Sequence, residues 1–426
     1  MLNIEKQVLC WQSFLTFTLE PYNLIVMKKS RLFLGCFIAL AVSLLSSCSN
    51  EVNDLSKGNY ISSTPIEESS VALTNVFLNS LKNESRARSF SMLKYPEYFG
   101  GYYTNKETNR PVFKVVKSLS KEAKLDIERR ISSPNFEIEF CENSYNSLND
   151  VIQKLDEKFL DEKYAELRRS LGWVGYCIGM VENVIKVDLE DCSQSKINEF
   201  KEKVIDSPLI IFQVGSKIIA PTVKDSKPED AVSKSPQELN PGQYINVPGR
   251  GEGSLCFPAT QNGLEGFVTC GHVVETGMLV EGYPGMGTIG SCLQSIRGNT
   301  DVAFVQSSYN FSTLTAYGGK YLNLSIPVVL GVNDYVQKDG STTLWTQGSV
   351  IDTGYRGTFD YDLGDYTVAN LTVTNYKSSA GDSGGCVYSL TNCIAGMHMG
   401  ADKAGTKHYY VVVDDIKYYL NMRISS

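Results

Sequence analysis

Three side chains in this sequence are of the types needed to attack a carbonyl group. Ser383 lies in Ser378-Ser379-Ala380-Gly381-Asp382-Ser383-Gly384-Gly385. A serine hydroxyl is a weak nucleophile until a base takes its proton and a third group orients that base. His272 closes the run Gly266-Phe267-Val268-Thr269-Cys270-Gly271-His272 and is a candidate base. Asp301, in Gly298-Asn299-Thr300-Asp301-Val302-Ala303-Phe304-Val305, is the candidate orienter. Glycine on both sides of Ser383 lets the chain turn sharply and approach a substrate closely. The N–H groups of Gly381 and Ser383 are then expected to face one point, where they would stabilise an oxyanion. Asp382 is expected to fold inward and brace the loop.

These residues need elements to carry them. His272 follows a short apolar run, and Asp301 follows a turn and enters a buried strand. From about residue 244 glycine becomes frequent, helical periodicity disappears, and short β-rich runs alternate with turns. That pattern predicts a pair of all-β barrels over 244–426.

The octet around Ser383, with histidine, aspartate and serine in that order, resembles the chymotrypsin-like serine proteases. The run Lys338 to Val350 resembles a strand pair of the streptogrisin and α-lytic group, and Ile416 to Met422 stands where that fold implies a C-terminal helix. The resemblance implies an endopeptidase working through an acyl-enzyme: His272 moves the proton, Asp301 holds the imidazole, and Gly381 and Ser383 form the oxyanion hole. One position departs from the group. The residue after the pocket histidine is often a serine that supports the catalytic aspartate. Here it is Met399, so Asp301 has either one hydrogen bond fewer or another partner.

The run Gly396-Met397-His398-Met399-Gly400 looks like the pocket strand of glutamyl endopeptidases. In that group a histidine here, with a hydroxyl five residues before the nucleophile, binds the substrate carboxylate. His398 and Ser378 occupy those positions, and Gly400 is the third expected substrate contact. Lys377 stands where a trypsin-like pocket would need a carboxylate, which disfavours cleavage after Lys or Arg. Cleavage after glutamate, less often glutamine or aspartate, is the expectation. Two other readings keep the fold: a protease with a different pocket preference, and a non-catalytic, lipid-anchored binding protein.

With 426 residues there is room for two or three domains. Hydrophobic residues make up 42% and charged residues 20%, a globular balance. The net charge of −7, without a long basic run, argues against a nucleic-acid partner. Only three histidines occur, with no zinc-type Cys/His spacing, so neither a metal site nor a cofactor is expected.

Residues 1–26 show no pattern and are expected to be an upstream mis-start, with Met27 as the true start. Met27-Lys28-Lys29-Ser30-Arg31 and the apolar run Leu32 to Leu45 form an export signal over 27–47. The box Leu45-Ser46-Ser47-Cys48 resembles a bacterial lipoprotein cleavage site, implying lipid on Cys48 as the only link to a membrane. A polar tether is expected over 48–88. Over 89–216, Phe136 to Phe140, Val184 to Leu189 and Leu209 to Val214 read as strands. Leu148, Val151, Leu155 and Phe159 mark one helix, and Ile197, Phe200 and Val204 another. This predicted α+β region is similar to the pro-regions of the streptogrisin and α-lytic group. The similarity lies in Tyr95 to Tyr103, in Leu171 to Tyr176 and in Glu182 to Ile185. Its implied role is that of an intramolecular partner that templates folding and blocks the cleft. Four prolines among charged residues make 217–243 a linker that must hold the activating cut, with Glu229 and Glu238 as candidates and the bond after Glu238 as the expected site. The family also has a bridge near the histidine, which implies Cys256 with Cys270. Cys386 with Cys393 and Cys177 with Cys192 are further possible pairs, and Cys292 is left over.

Overall fold

The computed structural model describes residues 69–87, 93–220 and 238–425. The export signal, Cys48 and linker residues 221–237, Glu229 among them, lie outside these ranges. No helix among the described residues is long and apolar enough to cross a membrane.

The described chain opens with α1 (Ser70–Ser85), β1 (Phe99–Thr104), β2 (Pro111–Val116), α2 (Ser120–Ile131) and β3 (Glu137–Cys141). β2 lies antiparallel to β1 and parallel to β3. Helix α1 corrects the expected tether, because its last part is folded. Leu73, Phe77 and Leu81 recur every fourth residue and pack with Phe99, Phe113 and Ile127. Serine and asparagine between them hid that stripe. Ser69 caps the helix by accepting the Ala72 N–H at 3.3 Å.

α3 (Tyr145–Phe159), α4 (Ala165–Leu171), β4 (Trp173–Gly179), β5 (Val184–Leu189), α5 (Gln194–Lys203) and β6 (Ile210–Val214) follow. Leu148, Leu155 and Phe159 on one face of α3 meet Trp173, Val187 and Phe200 in a separate apolar core. The helices and strands predicted here all form, within a residue or two of the expected ends. The expected linker over 217–243 is corrected at both ends: a two-residue strand, β7 (Ile218–Ile219), closes this region, and residues 238–239 form a strand of the second half.

The second half contains β8 (Glu238–Leu239), β9 (Tyr244–Val247), β10 (Gly251–Ser254), β11 (Pro258–Gln261), β12 (Leu264–Thr269), β13 (Leu279–Glu281), β14 (Thr288–Gly298), β15 (Thr300–Gln306) and β16 (Asn310–Phe311). It continues with β17 (Tyr335–Gly340), β18 (Leu344–Asp360), β19 (Tyr366–Thr374), β20 (Cys386–Ser389), β21 (Ile394–Asp402), β22 (His408–Val412), α6 (Val413–Leu420) and β23 (Met422–Ile424). The first barrel is an eight-stranded sheet ordered β10-β9-β13-β14-β15-β12-β11-β23. The second is the ring β17-β20-β21-β22-β19-β18, which closes through β17–β18 pairing. Helix α6 is the expected C-terminal helix, starting three residues earlier than predicted. Strand β23 then returns to pair with β11 of the first barrel.

The N-terminal region and the second barrel share a sheet. β4 pairs antiparallel with β18, placing Tyr176 against Arg356 and Gly175 against Gly357. The fit is close: a Cβ on Gly175 would lie 2.0 Å from the Tyr355 hydroxyl. That hydroxyl donates to buried Asp188 at 2.9 Å. Lys186–Asp352 (3.0 Å), Arg356–Asp156 (3.1 Å) and Lys217–Asp365 (2.6 Å) add ion pairs across the junction. β7 then inserts between barrel strands, parallel to the end of β18 and antiparallel to β21.

The expected cysteine bridges are absent. Cys256, Cys270, Cys386, Cys393, Cys177, Cys192 and Cys292 are free thiols. Cys270 donates to the His398 carbonyl at 3.2 Å, and Cys256 lies 3.6 Å from the Gly396 carbonyl. Neighbouring strand ends thus carry the two sulfurs to different backbone oxygens.

Candidate active site

The residues singled out for acyl transfer meet between the barrels. Asp301 is the second residue of β15, reached through the turn at Gly298-Asn299, and is fully buried. One carboxylate oxygen accepts the His272 backbone N–H at 2.8 Å, and the other lies 2.5 Å from His272 Nδ1. That bond assigns the Nδ1 proton and leaves Nε2 as the basic nitrogen. The serine loop reaches the same place through backbone contacts. Ser254 N–H donates to the Ser383 carbonyl at 2.7 Å, and Thr269, near His272, donates to the Ser254 carbonyl at 2.9 Å.

The nucleophile and base are not hydrogen-bonded to each other. Ser383 Oγ donates to the Met399 carbonyl at 3.1 Å, while His272 Nε2 is buried without a partner. Rotation about the serine χ1 is the motion available to bring the hydroxyl away from that carbonyl. Gly381 has φ +88°, a left-handed conformation that glycine adopts without strain. Among the described residues, neither the Gly381 nor the Ser383 N–H donates to another backbone group. Both expected oxyanion donors are therefore uncommitted within the backbone.

Asp382 does fold inward. Its carboxylate accepts from the backbone N–H groups of Ser379 (2.9 Å), Thr342 (2.9 Å) and Thr343 (3.0 Å), and from the Thr343 hydroxyl (2.6 Å). Lys338 Nζ lies 3.0 Å away, and both side chains are fully buried. Burial works to raise the Asp382 carboxyl, but the lysine charge and these hydrogen bonds outweigh it and hold the carboxyl below the ordinary carboxylate range. Lys338 is a site-building residue that sequence reasoning missed. It stood at the head of a run read only as a strand pair.

His398 and Ser378 both lie at the pocket, but they do not bond to each other. His398 is 1% exposed, and its Nδ1 is 3.0 Å from the Tyr376 hydroxyl. Ser378 Oγ is instead 2.7 Å from Nδ1 of His408 on β22. Tyr376 forms a triangle with the two imidazoles, its ring centroid 5.6 Å from His398 and 5.7 Å from His408, with the imidazoles 6.5 Å apart. Burial, then the charge of Lys338, pushes the His398 imidazole well below its ordinary pKa; burial also lowers His408. Both rings are therefore neutral at physiological pH. His408 and Tyr376 were not found from sequence, since neither belongs to the nucleophile loop or the pocket strand. Gly400 faces β7: a Cβ there would lie 2.5 Å from the Ile219 carbonyl.

Cys270, His272 and Asp301 place a sulfur, a nitrogen and an oxygen within 4.8 Å of one another, a set that could hold a metal ion. The His272–Asp301 bond fills that space. Burial, then the Asp301 charge, pushes the Cys270 thiol well above its ordinary pKa, away from the thiolate a metal would require.

Comparison with known proteins agrees with this architecture. Residues 146–215 match the family model described as a Pro-like C-terminal domain. Glutamyl endopeptidase 2 of Streptomyces griseus is 30% identical over 157 residues, 35% of this chain and 81% of that protein. Serine protease 1 of Streptomyces fradiae is 27% identical over 157 residues, again 35% of this chain but 43% of that protein. Among solved structures, the Nocardiopsis protease NAPase is 29% identical, covering 44% of this chain and all of that one, with a TM-score of 0.39. With four-fifths of the Streptomyces griseus relative matched at that identity, and a Pro-like module ahead of it, the chain belongs to the chymotrypsin-like serine proteases of the streptogrisin group, with an N-terminal pro-region.

Proposed function

We propose that this protease is a zymogen whose catalytic triad is His272, Asp301 and Ser383 and whose pocket selects glutamate before the scissile bond. His272 takes the Ser383 proton as the hydroxyl attacks, then returns it to the leaving amine. Asp301 holds the useful tautomer and stabilises the imidazolium, and the N–H groups of Gly381 and Ser383 receive the oxyanion. The observation that carries the triad is the doubly bonded Asp301–His272 pair beside the serine loop.

Glutamate preference is supported by two neutral imidazoles and a serine hydroxyl grouped around Tyr376. An N–H of His398 and the Ser378 hydroxyl would offer charge-assisted hydrogen bonds to a carboxylate, and the incoming charge favours protonating His398. The printed name of the Streptomyces griseus relative points the same way.

Self-inhibition is supported by β7, which occupies the edge of β21 at Gly400, where a substrate strand would add. The activating cut is expected in the linker upstream of Glu238, not after Glu238, the site the sequence favoured. Leu239 is fully buried in the first-barrel core, so the Glu238–Leu239 bond cannot extend into a protease cleft without extracting that side chain. Export and lipid attachment at Cys48 complete the proposal; the basic n-region, apolar run and Leu-Ser-Ser-Cys box support them. The mature catalytic part would then separate from an anchored pro-region.

Purified wild type and Ser383→Ala decide the central reading. Wild type is expected to cut peptide libraries after glutamate and to label with a fluorophosphonate. Ser383→Ala should lose at least about 10⁴-fold in rate and remain uncut in its linker. A library profile favouring basic or large apolar residues overturns the pocket assignment. A linker processed equally in both proteins assigns activation to another protease.

A further inference from the structure

We infer that Tyr366 is the positioning residue for Asp301, standing in for the serine hydroxyl that Met399 cannot supply; this rests on the triad reading above. A carboxylate offers about four acceptor positions, and two at Asp301 are filled by His272. Met399 is fully buried and carries no donor on its side chain. Cys270 is close to Asp301, but its hydrogen is engaged by the His398 carbonyl. Thr300 has an unpaired hydroxyl but precedes Asp301 in β15, so its side chain points to the opposite face.

Tyr366 is placed differently. It opens β19, opposite Phe359 at the end of β18. Its ring stacks on Phe359 with centroids 5.2 Å apart, and Phe359 lies 5.0 Å from the His272 ring. The next residue is tied to the turn that delivers Asp301: Asn299 N–H donates to the Thr367 carbonyl at 2.8 Å. The hydroxyl is buried, and no hydrogen bond of full geometry reaches it. It nonetheless lies in the field of Asp301. Burial first, then the charges of Asp301 and Cys270 and a hydrogen-bonding contact with Asp301, keep the phenol well above its ordinary pKa and so in the protonated, donating form. A buried donor without a partner is costly, and the carboxylate beside it has acceptor capacity to spare.

The hairpin that carries Tyr366 is held by the segment ahead of the linker. Asp365, directly before Tyr366, is held by Lys217 of the pro-region at 2.6 Å, and Phe359 and Asp360 are paired with β7. Departure of that segment frees the hairpin ends carrying Phe359 and Tyr366. The hydroxyl then closes on Asp301 and fixes the carboxylate against the imidazole.

The test uses mature enzyme with and without Tyr366→Phe, in the native and Met399→Ser backgrounds. Tyr366→Phe is expected to lower kcat and the fluorophosphonate labelling rate about tenfold, with KM and melting temperature unchanged. In the Met399→Ser background the same change should cost little, because the serine supplies the missing donor. Unchanged kcat in Tyr366→Phe overturns the assignment, as does an equal loss in both backgrounds. Wild-type enzyme that neither labels nor cleaves sinks the protease reading and this inference with it. Wild type that labels beside a variant that labels as fast removes only the role of Tyr366.

Discussion

The two barrels are built on opposite principles. The first is lined by Phe267, Val268, Val280, Ile289, Val302, Phe304 and Val305, and its buried polar groups are mostly uncharged, with His272 and Asp301 as the ionisable pair. The second buries charge and polarity in its interior: Lys338, Asp339 and Asp382 are fully buried, and Tyr376, His398 and His408 nearly so. Burial lifts the Asp339 carboxyl to about 6 even though two backbone N–H groups hold it. An apolar barrel keeps its geometry by packing, which suits a base and orienter that must stay fixed. A polar barrel keeps its geometry by satisfied hydrogen bonds and pairs, which suits charge recognition but leaves it exposed to loss of any one partner.

The sharpest way to break this contrast is Lys338→Met. It leaves Asp382 charged, buried and unpaired, which costs about 3–5 kcal/mol. Denaturant unfolding should show that loss, and fluorophosphonate labelling should fall because Asp382 braces the Gly381–Ser383 loop. Full stability in this variant would mean that hydrogen bonds alone carry Asp382.

His398→Gln sharpens the contrast by separating recognition from chemistry. The ratio of kcat/KM for glutamate over leucine substrates is expected to fall by about tenfold to a hundredfold, about 1.4–2.7 kcal/mol, with Ser383 labelling retained. An unchanged ratio would place carboxylate recognition elsewhere.

The last effect is one of pH. His398 and His408 are both held below the ordinary histidine value of 6.5. Between the folded and unfolded values the unfolded chain binds the extra proton. The neutral rings therefore contribute stability that is present above about 6.5 and lost as pH falls toward the folded values. Each adds a slope of up to about 1.4 kcal/mol per pH unit. Urea unfolding from pH 7 to pH 5 should show the decline, and His398→Gln should flatten it. A profile level across that range would contradict burial of neutral imidazoles.

What could be read from the residues alone was the local part of this design. The glycines around Ser383, the turn before Asp301 and the apolar run before His272 each carry their signal within a few neighbours. The α3 stripe was legible for the same reason. Lys338 was not, because its meaning lies in Asp382, which sits on a distant loop and meets it only when the second barrel closes. His408 and Tyr376 likewise depend on β22 and the chain after β19 converging behind β21. Helix α1 was hidden by polar residues between its leucines and phenylalanine. The cysteine pairing failed because a family pattern was carried to a chain whose sulfur sits three residues earlier, on the other side of the histidine. The serine rotamer, turned to Met399, has no sequence signature.

On the proposed reading, β7 would be a particular kind of brake. While the linker is intact, Ile218 and Ile219 are delivered to β21 by their own polypeptide, at a local concentration no free substrate reaches. Severing the linker does not remove the segment; it turns a unimolecular blockade into a bimolecular one, governed by dilution. Potency then becomes a question of where the two fragments go, and an anchor on one of them would let diffusion rather than cleavage set the moment of release.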